Sequence, residues 1–401
     1  MLGQIIERWK KAFDEIESIT KYRGSTQTVK YAEQPCFELE KYTKTDFPQG
    51  KPFSGIPDND AHPYYKYGFN RDGLPCYTSF PNNGNTTSWE GYYTYSDDLV
   101  EYVEFNIETR IPSCIDRIVF AGQRKVSFQQ ILINTRASAP AYIGLSKEDA
   151  IARIQESEGH MIQALIQNYE YDGDRIIGAD CVGMSPGAGK YEYKQLYSYN
   201  ETGDLEEITN LYPNGVRQLS YVQIKEGQNA QTISNQLSLC LAESVITTLI
   251  KNKVESPVAI VELGYRYVAN YLPVVVSRSE SFKKEVIGKG GAGIWENLFL
   301  GFDDLLYFDT DNYEKLFVQF IQIIEETGDH EMGQTMLRNT AALLTKNKLF
   351  GRIAVSDEFF VYAIDHSIEG HDKEDLKHIL NECGLEEEVI EAWDKRGWLR
   401  P

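Results

Sequence analysis

The densest grouping of histidines and carboxylates in this 401-residue chain lies near its C-terminus: Asp365-His366, Glu369, His371-Asp372 and His378. Imidazole and carboxylate together can hold zinc or another divalent ion. Two histidines five residues apart, His366 and His371, with acids beside them would suit a metal-dependent hydrolase. The spacing matches no established motif such as HExxH. The plainer reading is a solvated acidic loop running into a helix N-terminus, where carboxylates favour the dipole. No metal, cofactor or catalytic residue is therefore assigned.

Other chemistry-bearing patterns are weaker. Ser185-Pro186-Gly187-Ala188-Gly189-Lys190 has the look of a phosphate loop, but Met184 stands where glycine is needed and Tyr191 where Ser or Thr would hold magnesium. It also joins two expected antiparallel strands, so no helix N-terminus faces a phosphate. Gly288-Lys289-Gly290-Gly291-Ala292-Gly293 could form an anion nest, yet it lacks GxGxxG spacing and reads more simply as a connector into Trp295. No GxSxG occurs, and no cysteine sits in a recognisable nucleophile context. One stretch suits recognition instead. Asp303, Asp304, Asp309 and Asp311 flank Phe302, Tyr307 and Phe308. Aromatics anchor and carboxylates steer, so Asp303, Asp304, Tyr307, Asp309 and Asp311 are the candidate partner-binding residues. The same run also fits the approach to a helix near 312.

Charge narrows the partners. The formal net charge is −20. Residues before 230 carry 23 basic and 32 acidic side chains, and those after carry 17 and 28. Both halves are acidic, so the excess is no terminal tail. Such a field repels nucleic acid and anionic membranes and draws basic partners, although solubility alone is the plainer reading. No stretch reaches the roughly 18 apolar residues of a membrane span. The N-terminus reads as an amphipathic helix, not a leader: Ile5, Ile6, Trp9, Phe13 and Ile16 interleave with charged residues. Six cysteines without a CxxC pair read as reduced, mostly buried thiols. These features point to a cytoplasmic protein.

The elements that must position these residues fall into two sets. Four tyrosine ladders mark the first: Tyr65-Lys66-Tyr67, Tyr93-Thr94-Tyr95, Tyr169-Glu170-Tyr171 and Tyr197-Ser198-Tyr199. Each precedes an Asp/Asn/Gly turn, and the members of each pair lie 28 residues apart. Alternating aromatics favour pleated strands, and Asp-Gly or Gly-Asp supplies hairpin turns. Strands are expected near 63–69, 74–80, 90–96, 99–107, 115–120, 126–133, 168–171, 175–183, 191–199, 205–212 and 216–224. Residues 48–81 are proline-rich and read as irregular or edge pieces. A helix capped at Ser146 is expected to run through Ile151, Ile154, Ile162, Leu165 and Ile166, with Gly159 as its weak spot. Beyond the polar stretch 228–236 the expected elements are a helix at 232–251, strands at 257–266 and 270–277, helices at 312–326 and 331–346, strand 359–364, and short acidic helices around 372–382 and 385–396.

The ladders resemble the tyrosine–aspartate repeats of bacterial Rhs-type and wall-associated proteins over 63–105 and 168–224. Those repeats are shorter and run in long arrays, so the family's shell-forming role does not transfer to four ladders. An ordinary tyrosine-rich twisted sheet explains the same residues. The element order of 232–366, with Trp295, Leu349-Phe350-Gly351 and Phe359–Asp365, resembles a bacterial domain-of-unknown-function family. Related small domains stand beside polymorphic toxins as immunity proteins, and the resemblance implies that role.

The expected fold is α+β. Residues 1–230 form a tyrosine-rich antiparallel β domain with an N-terminal and an inserted helix, and 231–401 a smaller α/β domain. The expected function is a binding protein that neutralises a basic toxin by occlusion, with no nucleic-acid or membrane partner. The alternatives are a metal-dependent hydrolase at His366/His371 and a module that binds glycan or surface polymer through the ladders.

Overall fold

The computed structural model describes residues 2–32, 37, 39, 64–82, 86–134, 141–157, 161–266, 271–290, 298, 305–307, 313–327, 329, 331–370 and 372–399. The fold is α+β. The chain divides into two compact units, Met1–Gln223 with Glu326–Gly328, and Ile224–Glu325 with Asp329–Pro401.

Twelve strands make one sheet in the first unit, in sequence order, each antiparallel to the next. They are β1 (Thr28–Ala32), β2 (Tyr65–Phe69), β3 (Pro75–Asn82), β4 (Thr86–Tyr95), β5 (Leu99–Asn106), β6 (Pro112–Ala121), β7 (Arg124–Ile133), β8 (Ile162–Asp172), β9 (Arg175–Ser185), β10 (Gly189–Tyr199), β11 (Leu205–Leu211) and β12 (Arg217–Val222). The register explains its core. Tyr77, Tyr92, Val103, Ile115, Ile131, Ala164 and Met184 are successive cross-strand partners from β3 to β9, so they line one face in a single row. Helix α1 (Leu2–Ile19) covers that row with Ile5, Trp9 and Ala12, spaced to share one side. Trp9 donates its indole N–H to the Pro112 carbonyl at 2.9 Å, which satisfies the polar end of a fully buried ring.

The expected long helix after Ser146 is corrected. Helix α2 spans Lys147–Glu156, with Ser146 accepting from the Asp149 amide. Ile162, Leu165 and Ile166 belong to β8, where Ile162, Ala164 and Ile166 alternate into the core. Spacing of three and four suits either element over so short a run, and the two-residue alternation with Ala164 is the discriminating signal. Gly159 lies outside the described residues. Strand β1 was not expected from the sequence.

The phosphate-loop look-alike is the β9–β10 hairpin, with Gly187 and Gly189 at φ 79° and 68°. All five described cysteines are free thiols, and four of them are buried.

The second unit holds a mixed sheet in the order β14-β13-β15. Strands β13 (Val258–Gly264) and β14 (Val274–Ser279) are antiparallel, whereas β15 (Val355–Ile364) runs parallel to β13. Among the described residues six helices accompany it: α3 (Ala230–Lys251), α4 (Glu280–Lys289), α5 (Glu314–Thr327), α6 (Glu331–Lys346), α7 (Lys373–Glu382) and α8 (Glu387–Lys395). Helix α4 was not expected, because only Phe282, Val286 and Ile287 give it an apolar side. Helix α6 packs on β15 and on α3, and α4 on β13 and β14. Among the described residues α3 is long and apolar enough to cross a membrane, but 56% of that window is buried, with Leu237, Leu241, Val245 and Leu249 in the core.

Candidate functional site

Strand β13 is buried at all seven positions, and it carries a single charge, Glu262. A strand enclosed on both faces normally reads as an unbroken apolar run, so this carboxylate needs partners. Two are present. Tyr362 on β15, opposite Glu262 in the parallel register, donates its hydroxyl to Oε2 at 2.5 Å. His366, just past the end of β15, places Nε2 2.8 Å from Oε1. Burial drives the Tyr362 phenol well above its usual range, and the adjacent Glu262 charge adds to the rise. Tyr362 therefore stays protonated and donates.

A second network adjoins it through the Asp365–Glu369 turn. Asp365 is fully buried and accepts the Ser367 amide and hydroxyl on Oδ1. Glu369 Oε2 accepts the Asp365 amide at 2.9 Å and the Tyr265 hydroxyl at 3.0 Å, while Oε1 pairs with Arg338 at 2.6 Å. Gln334 also donates to Oε1, and Arg338 reaches on to Glu382. Burial, with Glu369 adding, raises the Tyr265 phenol. Each buried carboxylate thus has donors, as the low-dielectric interior demands.

Chemically, this arrangement is a brace. The His366 Nε2 is held by Glu262, and its Nδ1 is buried, so both ring nitrogens face the interior of the unit. Of the group singled out by sequence, His378 pairs with Glu382 at 3.4 Å on an exposed stretch of α7, and Asp372 caps that helix by accepting the Asp375 amide. His371 lies outside the described residues. Among the described residues no three His, Cys, Asp or Glu side chains converge as metal ligands. Sequence reasoning missed Glu262, Tyr265, Arg338 and Tyr362. The legible signal was one glutamate inside Val258–Gly264.

The acidic–aromatic stretch is described at residues 305–307. Leu306 exchanges two backbone hydrogen bonds with Val275, at 2.8 and 2.9 Å, on the end strand β14. Tyr307 follows and is 71% exposed. Asp303, Asp304, Asp309 and Asp311 lie outside the described residues. The opposite edge of the sheet is closed by side chains: Thr345 Oγ1 accepts the Val361 amide at 2.8 Å, and Cys383 Sγ accepts that of Ala363 at 3.3 Å. Burial pushes the Cys383 thiol up to about 12, so it stays neutral there.

The ladders are bound into the sheet. Tyr95, Tyr171 and Tyr199 donate to the carbonyls of Pro75, Lys125 and Ile176, each near the start of the preceding strand. Tyr93 is buried and donates to the Phe37 carbonyl. In the second pair the likeness extends further. Tyr169 and Tyr197 donate to Gln167 and Gln195, two residues before each, and Gln167 donates to Gln195 across β9 at 3.0 Å. Arg124 and Arg175 lie over the rings of Tyr171 and Tyr199, both at 5.5 Å.

No family model matches this chain, and no curated protein matches it.

Proposed function

We propose that the chain is a cytoplasmic binding protein that neutralises a basic bacterial toxin, as an immunity partner does, by occluding the toxin's working surface. The observation that carries this reading is Tyr307. It is a large aromatic, 71% exposed, directly after Leu306, whose backbone bridges to Val275 on β14. An aromatic beside a backbone-bonded residue loses less entropy on binding than one in a free loop, and makes a strong anchor. Its sequence neighbours Asp303, Asp304, Asp309 and Asp311 supply a steering field of the sign that attracts lysine and arginine. The net charge of −20 extends that field over both units. The likeness of 232–366 to toxin-associated immunity domains points the same way.

The other readings draw less support. A hydrolase at His366 needs a ring nitrogen that can reach substrate, whereas here Nε2 is engaged by Glu262 and Nδ1 is buried. A polymer-binding face needs ladder rings and hydroxyls to offer; Tyr67 and Tyr93 are buried, and the hydroxyls of Tyr93, Tyr95, Tyr171 and Tyr199 are bonded to backbone. The test is co-expression of the tagged chain with each reading frame neighbouring its gene. We expect one basic polypeptide to co-purify in stoichiometric amount and to lose its toxicity. Toxicity unrelieved by the chain, with no polypeptide retained, overturns the proposal.

A further inference from the structure

A pocket of about 340 Å³ opens in the first unit between the end of α1 and strands β4 and β5. Its lining combines two kinds of residue. Tyr92, Phe105, Ile16 and Ile107 are apolar or aromatic, and Glu17, Glu90 and Arg110 are charged. Tyr92 and Phe105 are buried, whereas Ile107 is 40% exposed. Glu17 and Arg110 form a solvent-exposed pair at 3.1 Å. Such a pair contributes little and opens readily.

Glu90 is the informative residue. Its side chain is largely buried, and it already receives one guanidinium from the chain itself. Arg23 gives Nη1 to Oε1 at 2.9 Å while its guanidinium lies 5.2 Å from the centre of the Tyr77 ring. Tyr77 donates to that same oxygen at 2.9 Å. The other oxygen, Oε2, takes the Tyr92 hydroxyl at 2.5 Å. A carboxylate oxygen has room for a second donor. Tyr92 bears the same relation to Oε2 as Tyr77 bears to Oε1, and it is Tyr92 that lines the pocket. The chain thus shows, on one side of Glu90, how a guanidinium stacks on a tyrosine and pairs with the acid. On the other side Tyr92 holds Oε2 by the same hydrogen bond, beside the cavity.

We propose that this pocket seats one arginine side chain of the basic partner. The aliphatic stem would lie on Ile16 and Ile107, and the guanidinium would place its donors on Glu90 and, after the Arg110 pair opens, on Glu17. This proposal rests on the partner reading above for the source of the arginine, but the chemistry of the pocket can be tested without the partner.

The test uses the full chain with ¹³C-labelled isoleucine δ1 methyls, and n-butylguanidinium, n-butylammonium and butyrate as probes. Saturable shifts of the Ile16 and Ile107 methyls with butylguanidinium are expected, with weaker binding of butylammonium and none of butyrate. Glu17→Gln should weaken butylguanidinium by about two- to fivefold, the worth of an exposed ion pair. Ile107→Trp should fill the mouth and abolish saturation at Ile16, with an unchanged melting curve showing that the fold persists. Equal shifts from butyrate, or an isotherm untouched by Ile107→Trp, overturn the assignment. If a captured partner binds the Ile107→Trp chain as tightly as the parent, the pocket inference falls and the binding role stands. If no partner is captured while butylguanidinium saturates the pocket, the binding role falls and the pocket stands as a guanidinium site.

Discussion

Tyr362→Phe removes one hydroxyl from the interior of the second unit and leaves the ring in place. That hydroxyl lies 2.5 Å from Glu262 Oε2, and both side chains are buried. Its loss leaves Oε2 without that donor, while His366 stays 2.8 Å from Oε1. Hydrogen bonds to charged groups contribute about 1.5–3 kcal/mol, and a half-stripped buried carboxylate cannot turn to water, so a loss of about 2 kcal/mol is expected. For a unit of this size that corresponds to a fall in Tm of about 4–8 °C. Urea unfolding of the full chain gives the stability change, and amide exchange in β13 and β15 assigns it to the second unit. The cause is isolated by repeating the substitution in a Glu262→Met background, where no carboxylate waits for the donor. There Tyr362→Phe should cost less than about 0.5 kcal/mol. An equal loss in both backgrounds, or no loss in the parent, would refute the view that Glu262 is held by these donors.

Three further outcomes are expected. Gly333→Ala in α6 gains about 1 kcal/mol of helix propensity, but its new Cβ would sit 2.5 Å from the Tyr271 ring. Overpacking costs about 1–3 kcal/mol, so a lower melting temperature should result, and a higher one would contradict the packing described. Burial lowers Lys125 to about 8. The unfolded chain keeps that proton to higher pH, so between about pH 8 and 10 it binds more protons than the fold, and stability rises with pH. Lys125→Met should therefore be more stable than the parent near neutrality by about 1 kcal/mol after allowance for partial exposure, with the gap closing through that window of urea midpoints. Tyr307→Ala should weaken capture of the basic partner by about thirtyfold without moving the melting curve, as loss of an interface anchor does; unchanged affinity in a calorimetric titration would remove Tyr307 from the interface.

The parts of the fold legible in the sequence are those whose periodicity is long and unmixed. Helix α1 shows its apolar face over five positions, and the ladders announce strands whose hydroxyls then fix the hairpins. Ile162, Leu165 and Ile166 misled because three residues cannot separate a helical from a pleated spacing. Helix α4 has too few apolar residues to stand out, yet its Lys283 is buried against Glu358 at 2.9 Å and lies over the ring of Trp393. The parallel pairing of β13 with β15 depends on contacts nearly a hundred residues apart, which no local pattern encodes. The same separation hid the brace: His366 was visible as a histidine among acids, but its partner Glu262 belongs to another strand. The α1–sheet pocket was hidden likewise, since its lining comes from three separate stretches, 16–20, 90–92 and 105–110.

The central claim is that this acidic chain binds and silences a basic protein. The most direct measurement is growth of cells expressing each neighbouring reading frame, with and without the chain, coupled to affinity purification of the tagged chain and mass spectrometry. The account predicts one toxic, basic product whose effect is abolished by the chain and which elutes with it at equal stoichiometry. A toxic product that the chain neither rescues nor retains would contradict it.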